Sequence, residues 1–162
     1  MIERIWAPWR SDYVQKPKPT GCVFCEKLAL IDDAESCILF RGEQNFIIMN
    51  IFPYNPGHLM VVPCRHVGRL EELTDSESEE NFRLVRRSTT VLEKAFQPQG
   101  FNVGMNLGKA AGAGIDEHLH VHVVPRWNGD TNFMPLIAET KVVSESLSAV
   151  YRKLKPYFPA SR

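Results

Sequence analysis

Apolar residues in this chain fall into short runs and alternations, interrupted once by a long helical pattern. Residues 36–40 and 46–51 read as strands, and Arg41-Gly42-Glu43-Gln44-Asn45 between them is a hairpin signal. Pro53, Asn55, Pro56 and Gly57 then force a turn, and 58–63 reads as a third strand. Thr74 and Asp75 open a helix, with acids crowded into the first turn where they favour the dipole. Phe82, Val85, Val91, Leu92, Ala95 and Phe96 recur at near-helical spacing up to the stop at Pro98 and Gly100. That spacing predicts one long amphipathic helix over 76–96. Residues 101–107 alternate as a strand, 108–114 form a small-residue loop, and 118–124 are another strand, ended by Pro125. Val143, Leu147, Val150, Tyr151 and Leu154 mark a second helix, capped at Ser144.

The beginning of the chain behaves differently. Pro8, Pro17 and Pro19 make residues 1–20 an irregular arm, with Trp6, Trp9 and Tyr13 as anchors. Gly21-Cys22-Val23-Phe24-Cys25 reads as a tight turn opening a short helix over 27–30. The element order predicts one α+β domain over 1–162, its core at 21–162. Its sheet is mainly antiparallel, with the helices on one side. Continuous β-α-β alternation is missing, which argues against a doubly wound fold.

Composition narrows the function classes. The 162 residues suit a single domain, and 44% apolar content allows a core without disulfides. Nineteen basic residues balance nineteen acidic ones, so the long-range field of a general nucleic-acid binder is missing. No apolar run nears the ~20 residues that span a bilayer. Met1-Ile2-Glu3-Arg4-Ile5-Trp6, with its early acid and Pro8 following, is no signal peptide. A cytoplasmic protein is expected, with four cysteines reduced or metal-bound.

The chemistry concentrates in His118-Leu119-His120-Val121-His122-Val123-Val124. Successive strand side chains point to opposite faces, so the three histidines share one face, about 6.5–7 Å apart. Leu119, Val121 and Val123 share the other face and belong to the core. Alternating histidines on a strand also suit zinc, but that reading must share residues with a second cluster. Cys22-x-x-Cys25 is compatible with redox chemistry or with half of a zinc site. A thioredoxin-like role needs a strand leading into the motif, and nothing upstream reads as one. Closing the site with His66 and His118 would give four protein ligands, a structural zinc arrangement with no open position. Cys37 and Cys64 lie in or beside apolar strands and are expected to fill the core.

His120, His122 and His58 are left for chemistry. The loop Gly108-Lys109-Ala110-Ala111-Gly112-Ala113-Gly114 lets backbone N–H groups approach an anion, although it is no P-loop. A neutral imidazole beside phosphate oxygens can act as a nucleophile, and a second can bind those oxygens or pass a proton. Asn50 and His58 flank the Pro-Gly turn. Ile48 shares a face with Asn50 and Met60 with His58, two apolar walls plus a carboxamide that suit a base and a ribose.

These residues resemble the histidine triad (HIT) family. His118 to Val124 match its motif of three histidines alternating with apolar residues, and 45–66 look like its nucleotide-binding hairpin. Trp6-Ala7-Pro8-Trp9-Arg10, Cys22–Cys25 and residues 112–133 look most like its bacterial diadenosine-polyphosphate phosphorylase-type members. The resemblance implies a five-stranded antiparallel sheet with one long and one C-terminal helix, and a homodimer through the long helix and neighbouring strands. It implies attack by His120 on the α-phosphate of a nucleotide, a nucleotidyl-histidine intermediate, and transfer to water or inorganic phosphate. Asn50 would hold the ribose, Ile48 and Met60 would flank the base, and Asn106, His122 and His58 would meet phosphate. Zinc-bearing relatives use two cysteines and two histidines as ligands, with the first triad histidine among them. Mg2+ could accompany a polyphosphate substrate.

One position departs from the family pattern. Many relatives carry Ser or Thr three residues before the first triad histidine, where this chain has Ile115. Three functions are therefore expected in order: cleavage of diadenosine polyphosphates, hydrolysis of nucleoside phosphoramidates or related mononucleotides, and non-catalytic, zinc-stabilised nucleotide binding.

Overall fold

Tight turns between apolar runs set the strand pairing. β1 (Ile38–Arg41), β2 (Asn45–Met49) and β3 (Leu59–Pro63) form an antiparallel meander, while β4 (Gly100–Gly104) pairs antiparallel with β5 (Val121–Arg126). Pairing of β3 with β5 joins them into one sheet of order β1-β2-β3-β5-β4. The computed structural model describes residues 21–130 and 145–159. The 1–20 arm, with Trp6, Trp9 and Tyr13, lies outside the described residues, as do Val143 and Ser144. Among the described residues no helix is long and apolar enough to cross a membrane.

The sheet is covered on both faces, not on one. Ile47, Met49, Leu59, Val61, Val121 and Val123 pack against Leu84, Val85, Val91 and Leu92 of one helix and Val150 and Leu154 of another. The first helix spans Asp75–Phe96 and the second Leu147–Leu154; in chain order they are α3 and α4. The alternate residues Phe46, Ile48, Met60 and Val62 pack on Phe24 of α1 (Val23–Ala29). The signal lay in the runs themselves: 46–49 and 59–62 are apolar at every position, as strands buried on both faces must be. Each buried side chain contributes about 1.5–3 kcal/mol of transfer free energy.

α1 begins at Val23, four residues before the expected helix, so Cys25 lies inside it and Cys22 caps it. A short helix, α2 (Asp33–Ser36), follows under the N-cap carboxylate of Asp32. Cys37 ends it in the left-handed region (φ 63°). Cys37 and Cys64 are half-buried at the edges of the apolar clusters, not inside them.

On α3 the expected apolar stripe holds for Val85, Val91 and Leu92, but Phe82 is 75% exposed. Asn81 and Leu84 face inward instead. The buried first half of α3 is polar because it secures the β1–β2 hairpin. The Glu80 carboxylate accepts the N–H groups of Glu43, Gln44 and Asn45 at 3.1, 2.6 and 2.7 Å. Burial raises the Glu80 pKa, but these donors outweigh it and the group stays below its ordinary value. Thr74 and Glu77 form a capping box, and Arg65 donates to Glu77 at 2.8 Å, which lowers the Glu77 pKa to about 2. Gly57 (φ +81°) turns the chain against α3, where a Cβ would sit 2.9 Å from Leu92 Cδ2. The second helix is capped by Ser146, whose side chain accepts from Ala149 N–H at 3.3 Å.

Strand ends also differ from expectation. β4 stops at Gly104 rather than 107, and β5 starts at Val121 rather than 118, because His118 and Leu119 bond to Pro63 and Val67 instead of continuing the ladder. Leu119 N–H donates to Val67 O at 2.7 Å, and the His118 ring to Pro63 O at 2.9 Å. At the other end β5 continues through Pro125 to Arg126. Arg126 O accepts from Gln99 N–H on the β4 side, so Pro125 faces the side where pairing with β3 has ended at Leu59. There Asn55 Nδ2 donates to the Pro125 carbonyl at 2.8 Å.

Candidate active site

One rung of the sheet, Ile38–Ile48–Met60–His122–Gly104, crosses all five strands. Neighbours on a rung have Cβ atoms about 4.5–5.5 Å apart, so three apolar side chains lead directly to an imidazole. A cavity of about 520 Å³ opens here. Ile48, Met60, Asn50, Asn106, His120 and His122 all line it. Ligand pockets of roughly 300–1,000 Å³ are typical for small molecules. Ile115 lines the same cavity and packs on the Phe24 cluster, presenting methyl groups where a hydroxyl would be a donor.

Hydrogen bonds fix the protonation of each ring. His120 Nδ1 lies 2.9 Å from the carbonyl of His118. A carbonyl only accepts, so Nδ1 carries the proton and the neutral ring keeps its lone pair on Nε2. Burial pushes the His120 pKa down, with the bond to the carbonyl opposing, so the ring is neutral at physiological pH. Its other neighbours are the Phe24 ring, 5.1 Å away centroid to centroid, and the His122 ring at 4.9 Å. The ring therefore presents a neutral, oriented imidazole with its Nε2 lone pair to the cavity.

His58 is not at the cavity wall as expected for a phosphate contact. It is 1% exposed and sits behind His122. Tyr54 N–H donates to His58 Nδ1 at 3.1 Å. Asn50 Oδ1 accepts from Phe52 N–H at 2.9 Å, which turns its amide nitrogen toward the same Nδ1 at 3.4 Å. The His58 proton is thus on Nε2, and it is donated to His122 Nδ1 across 2.9 Å. That in turn places the His122 proton on its own Nε2, a donor suited to phosphate oxygens. The β3–β5 register, Met60 opposite His122, is what brings His58 within reach.

The first histidine of the row does different work. His118 Nε2 donates to Pro63 O at 2.9 Å, leaving the Nδ1 lone pair toward Cys22 Sγ at 3.2 Å and Cys25 Sγ at 3.6 Å. His66 Nδ1 lies 3.4 Å from Cys25 Sγ. The four ligand atoms all fall within 4.8 Å of one another. A tetrahedral centre with S at about 2.3 Å and N at about 2.0 Å would separate its ligands by about 3.3–3.8 Å. The group fits a metal ion, and four protein ligands would close its coordination sphere. Cys22 and Cys25 stand at the start of α1, so a metal there would tie that helix to the histidine segment 96 positions away.

Several side chains at the site escaped the sequence reading. Phe24, between the two cysteines, touches both His118 and His120. Tyr54 stacks on His58 at 4.8 Å. Lys27 and Lys109 line the cavity. Lys109 stood in the noticed glycine loop, whereas the place of Lys27 depends on how α1 docks.

Comparisons with known proteins agree with this geometry. The HIT domain model matches residues 32–129. The chain is 42% identical over 162 residues to AP-4-A phosphorylase of Mycobacterium tuberculosis, covering 94% of this chain and 83% of that protein. It is 34% identical over 117 residues to the asymmetrical bis(5'-nucleosyl)-tetraphosphatase of Schizosaccharomyces pombe, covering 72% of this chain and 64% of that one. Among solved structures, a Zn-bound histidine triad family protein from Mycobacterium smegmatis superposes with a TM-score of 0.68 at 25% identity, covering 85% and 92% of the two chains. With its fold, its row of alternating histidines and these relatives, the chain belongs to the histidine triad family.

Proposed function

We propose that the protein cleaves diadenosine polyphosphates by nucleotidyl transfer through His120. The observation that carries this reading is the His120 ring itself: its proton is held by a main-chain carbonyl and its Nε2 lone pair is left for phosphorus. Nε2 attacks the α-phosphorus, an N–P bond forms, and the bond to the departing nucleoside polyphosphate breaks. An oxygen of inorganic phosphate, or of water, then attacks the same phosphorus and releases the nucleotide from the ring. His122, protonated on Nε2 through its bond with His58, holds the phosphate oxygens. Ile48 and Met60 flank the base, Asn50 holds the ribose, and Asn106 contacts phosphate, all from the cavity wall. The names of the M. tuberculosis and S. pombe relatives support this substrate class.

The test offers diadenosine tetraphosphate with and without inorganic phosphate. ADP plus ATP, dependent on phosphate, marks phosphorolysis; AMP plus ATP marks hydrolysis; no cleavage under either condition overturns the proposal. A parallel assay with an adenosine phosphoramidate separates the phosphoramidate hydrolase.

Zinc is the metal that two thiolates and two imidazoles favour, and the M. smegmatis neighbour is Zn-bound. Bound there, it supplies a structural cross-link and takes no part in the chemistry. Magnesium enters only on the polyphosphate: among the described residues lining the cavity none is a carboxylate that would hold it. Free thiols as ligands suit the reducing cytoplasm. A homodimer fits the edge strand β4, which among the described residues pairs only with β5 and exposes Val103; light scattering of the full chain tests it.

A further inference from the structure

A chain whose charges balance overall does not balance them at its cavity. The charged residues lining it, among those described, are Lys27 and Lys109; no acid lines it, and Asp116, which lies near Lys109, stands outside the lining. Neither ammonium is committed to a strong partner. Lys109 Nζ is 3.7 Å from Asp116 Oδ2, with its side chain 77% exposed. Lys27 Nζ makes one bond, to the Glu35 carbonyl at 3.2 Å. At 3.7 Å and 3.2 Å from highly hydrated ammonium groups these contacts are weak, so an incoming phosphate displaces them with little loss.

Both lysines are also placed by the elements that build the nucleophile's surroundings. Lys27 follows Phe24 by three residues on α1, hence on the same helix face, and Phe24 packs on the His120 ring. Lys109 opens the helical turn Lys109–Ala111 directly after Gly108, whose φ of +80° starts the loop that continues along the cavity wall to Ile115. The α-phosphate belongs beside His120 and His122, so any phosphates beyond it extend into space bounded by these two cations.

We propose that Lys27 and Lys109 form a clamp for the phosphates beyond the one attacked, and that they set the preference for long, highly charged phosphate chains over mononucleotides. The proposal rests on the reading that a nucleotide α-phosphate sits at His120. As the reaction proceeds the departing group gains negative charge, and the same two ammonium groups receive it. A neutral amine leaving group would gain nothing from them.

Binding of AMP, ADP and ATP to the metal-loaded full chain, measured by calorimetry, tests the clamp without any turnover. The parent protein should bind ATP more tightly than AMP. A charge-assisted bond contributes about 1.5–3 kcal/mol, so Lys109→Ala or Lys27→Ala should each weaken ATP roughly 10–100-fold. AMP should stay within about twofold of the parent in the same variants, since it makes no bond that either change removes. The double variant should bind ATP no better than AMP, and Lys109→Arg should restore most of the difference. If AMP binds the parent but the ratio of ATP to AMP affinity is unmoved in the double variant, the clamp is refuted while the nucleotide site stands. If AMP does not bind the parent at all, the underlying reading fails and the clamp with it.

Discussion

Val121 and Val123 point to one side of the sheet, His120 and His122 to the other, and the two sides are built for opposite purposes. On the valine side, α3 and α4 close a dry core of aliphatic and aromatic side chains. On the histidine side, α1 covers only part of the sheet, and the rest is a cavity of about 520 Å³ lined by imidazoles, two carboxamides and two lysines. The period of two lets neighbouring residues answer to separate demands: packing density on one face, proton placement on the other. Stability and catalysis should therefore be separable by mutation, and the experiments below try to break that separation.

The largest effect is expected at His120. His120→Ala should lower turnover of diadenosine tetraphosphate by at least about 10⁴-fold, as loss of a covalent nucleophile does, with thermal unfolding nearly unchanged. A large fall in melting temperature would mean that the two faces are coupled. On the other face, Leu92→Ala should cost about 2–5 kcal/mol in denaturant unfolding, because Leu92 is fully buried in the α3 core. Its folded fraction should retain normal kcat.

Removing the metal crosses between the two behaviours. Cys22→Ser should abolish stoichiometric zinc by metal analysis and cost about 3 kcal/mol, the linkage expected when free metal is about 100 times its Kd. Activity should fall too, since the His118 ring is one of the four groups that would hold the ion and the His118 carbonyl accepts the proton of His120 Nδ1. The smallest effect is expected in acid. Glu77 has its pKa depressed to about 2 by Arg65, so its contribution is complete above about pH 4.5 and is lost as pH falls toward 2. Arg65 is half-exposed, so the contribution is about 1–2 kcal/mol. Arg65→Ala should remove that part of the acid-unfolding curve and leave the zinc and the cavity intact.

What could be read from the sequence was whatever depended on local period and ligand chemistry. The alternation put histidines opposite valines, although β5 begins only at Val121, so that of the three only His122 lies on the strand; the grouping of Cys22, Cys25, His66 and His118 follows from donor type. Ile48 and Met60, picked out by the same period, meet as register partners and both line the cavity. What could not be read depended on docking across long separations. α1 settles on the second face of the sheet, which brings Phe24 against His120 and Lys27 into the cavity. His58 passes behind His122 because β3 pairs with β5 in one register rather than another. Phe82 turns outward because the first half of α3 spends its inner face on Glu77, Glu80 and Asn81, which bind the hairpin and its neighbours.

Rapid-quench mass spectrometry of the protein mixed with diadenosine tetraphosphate is the most direct measurement. An adenylyl group on the peptide carrying His120, formed and discharged at the rate of turnover, is the expected result. Turnover that proceeds with no adduct, or with the adenylyl group on another residue, would contradict the assignment of His120 as the nucleophile.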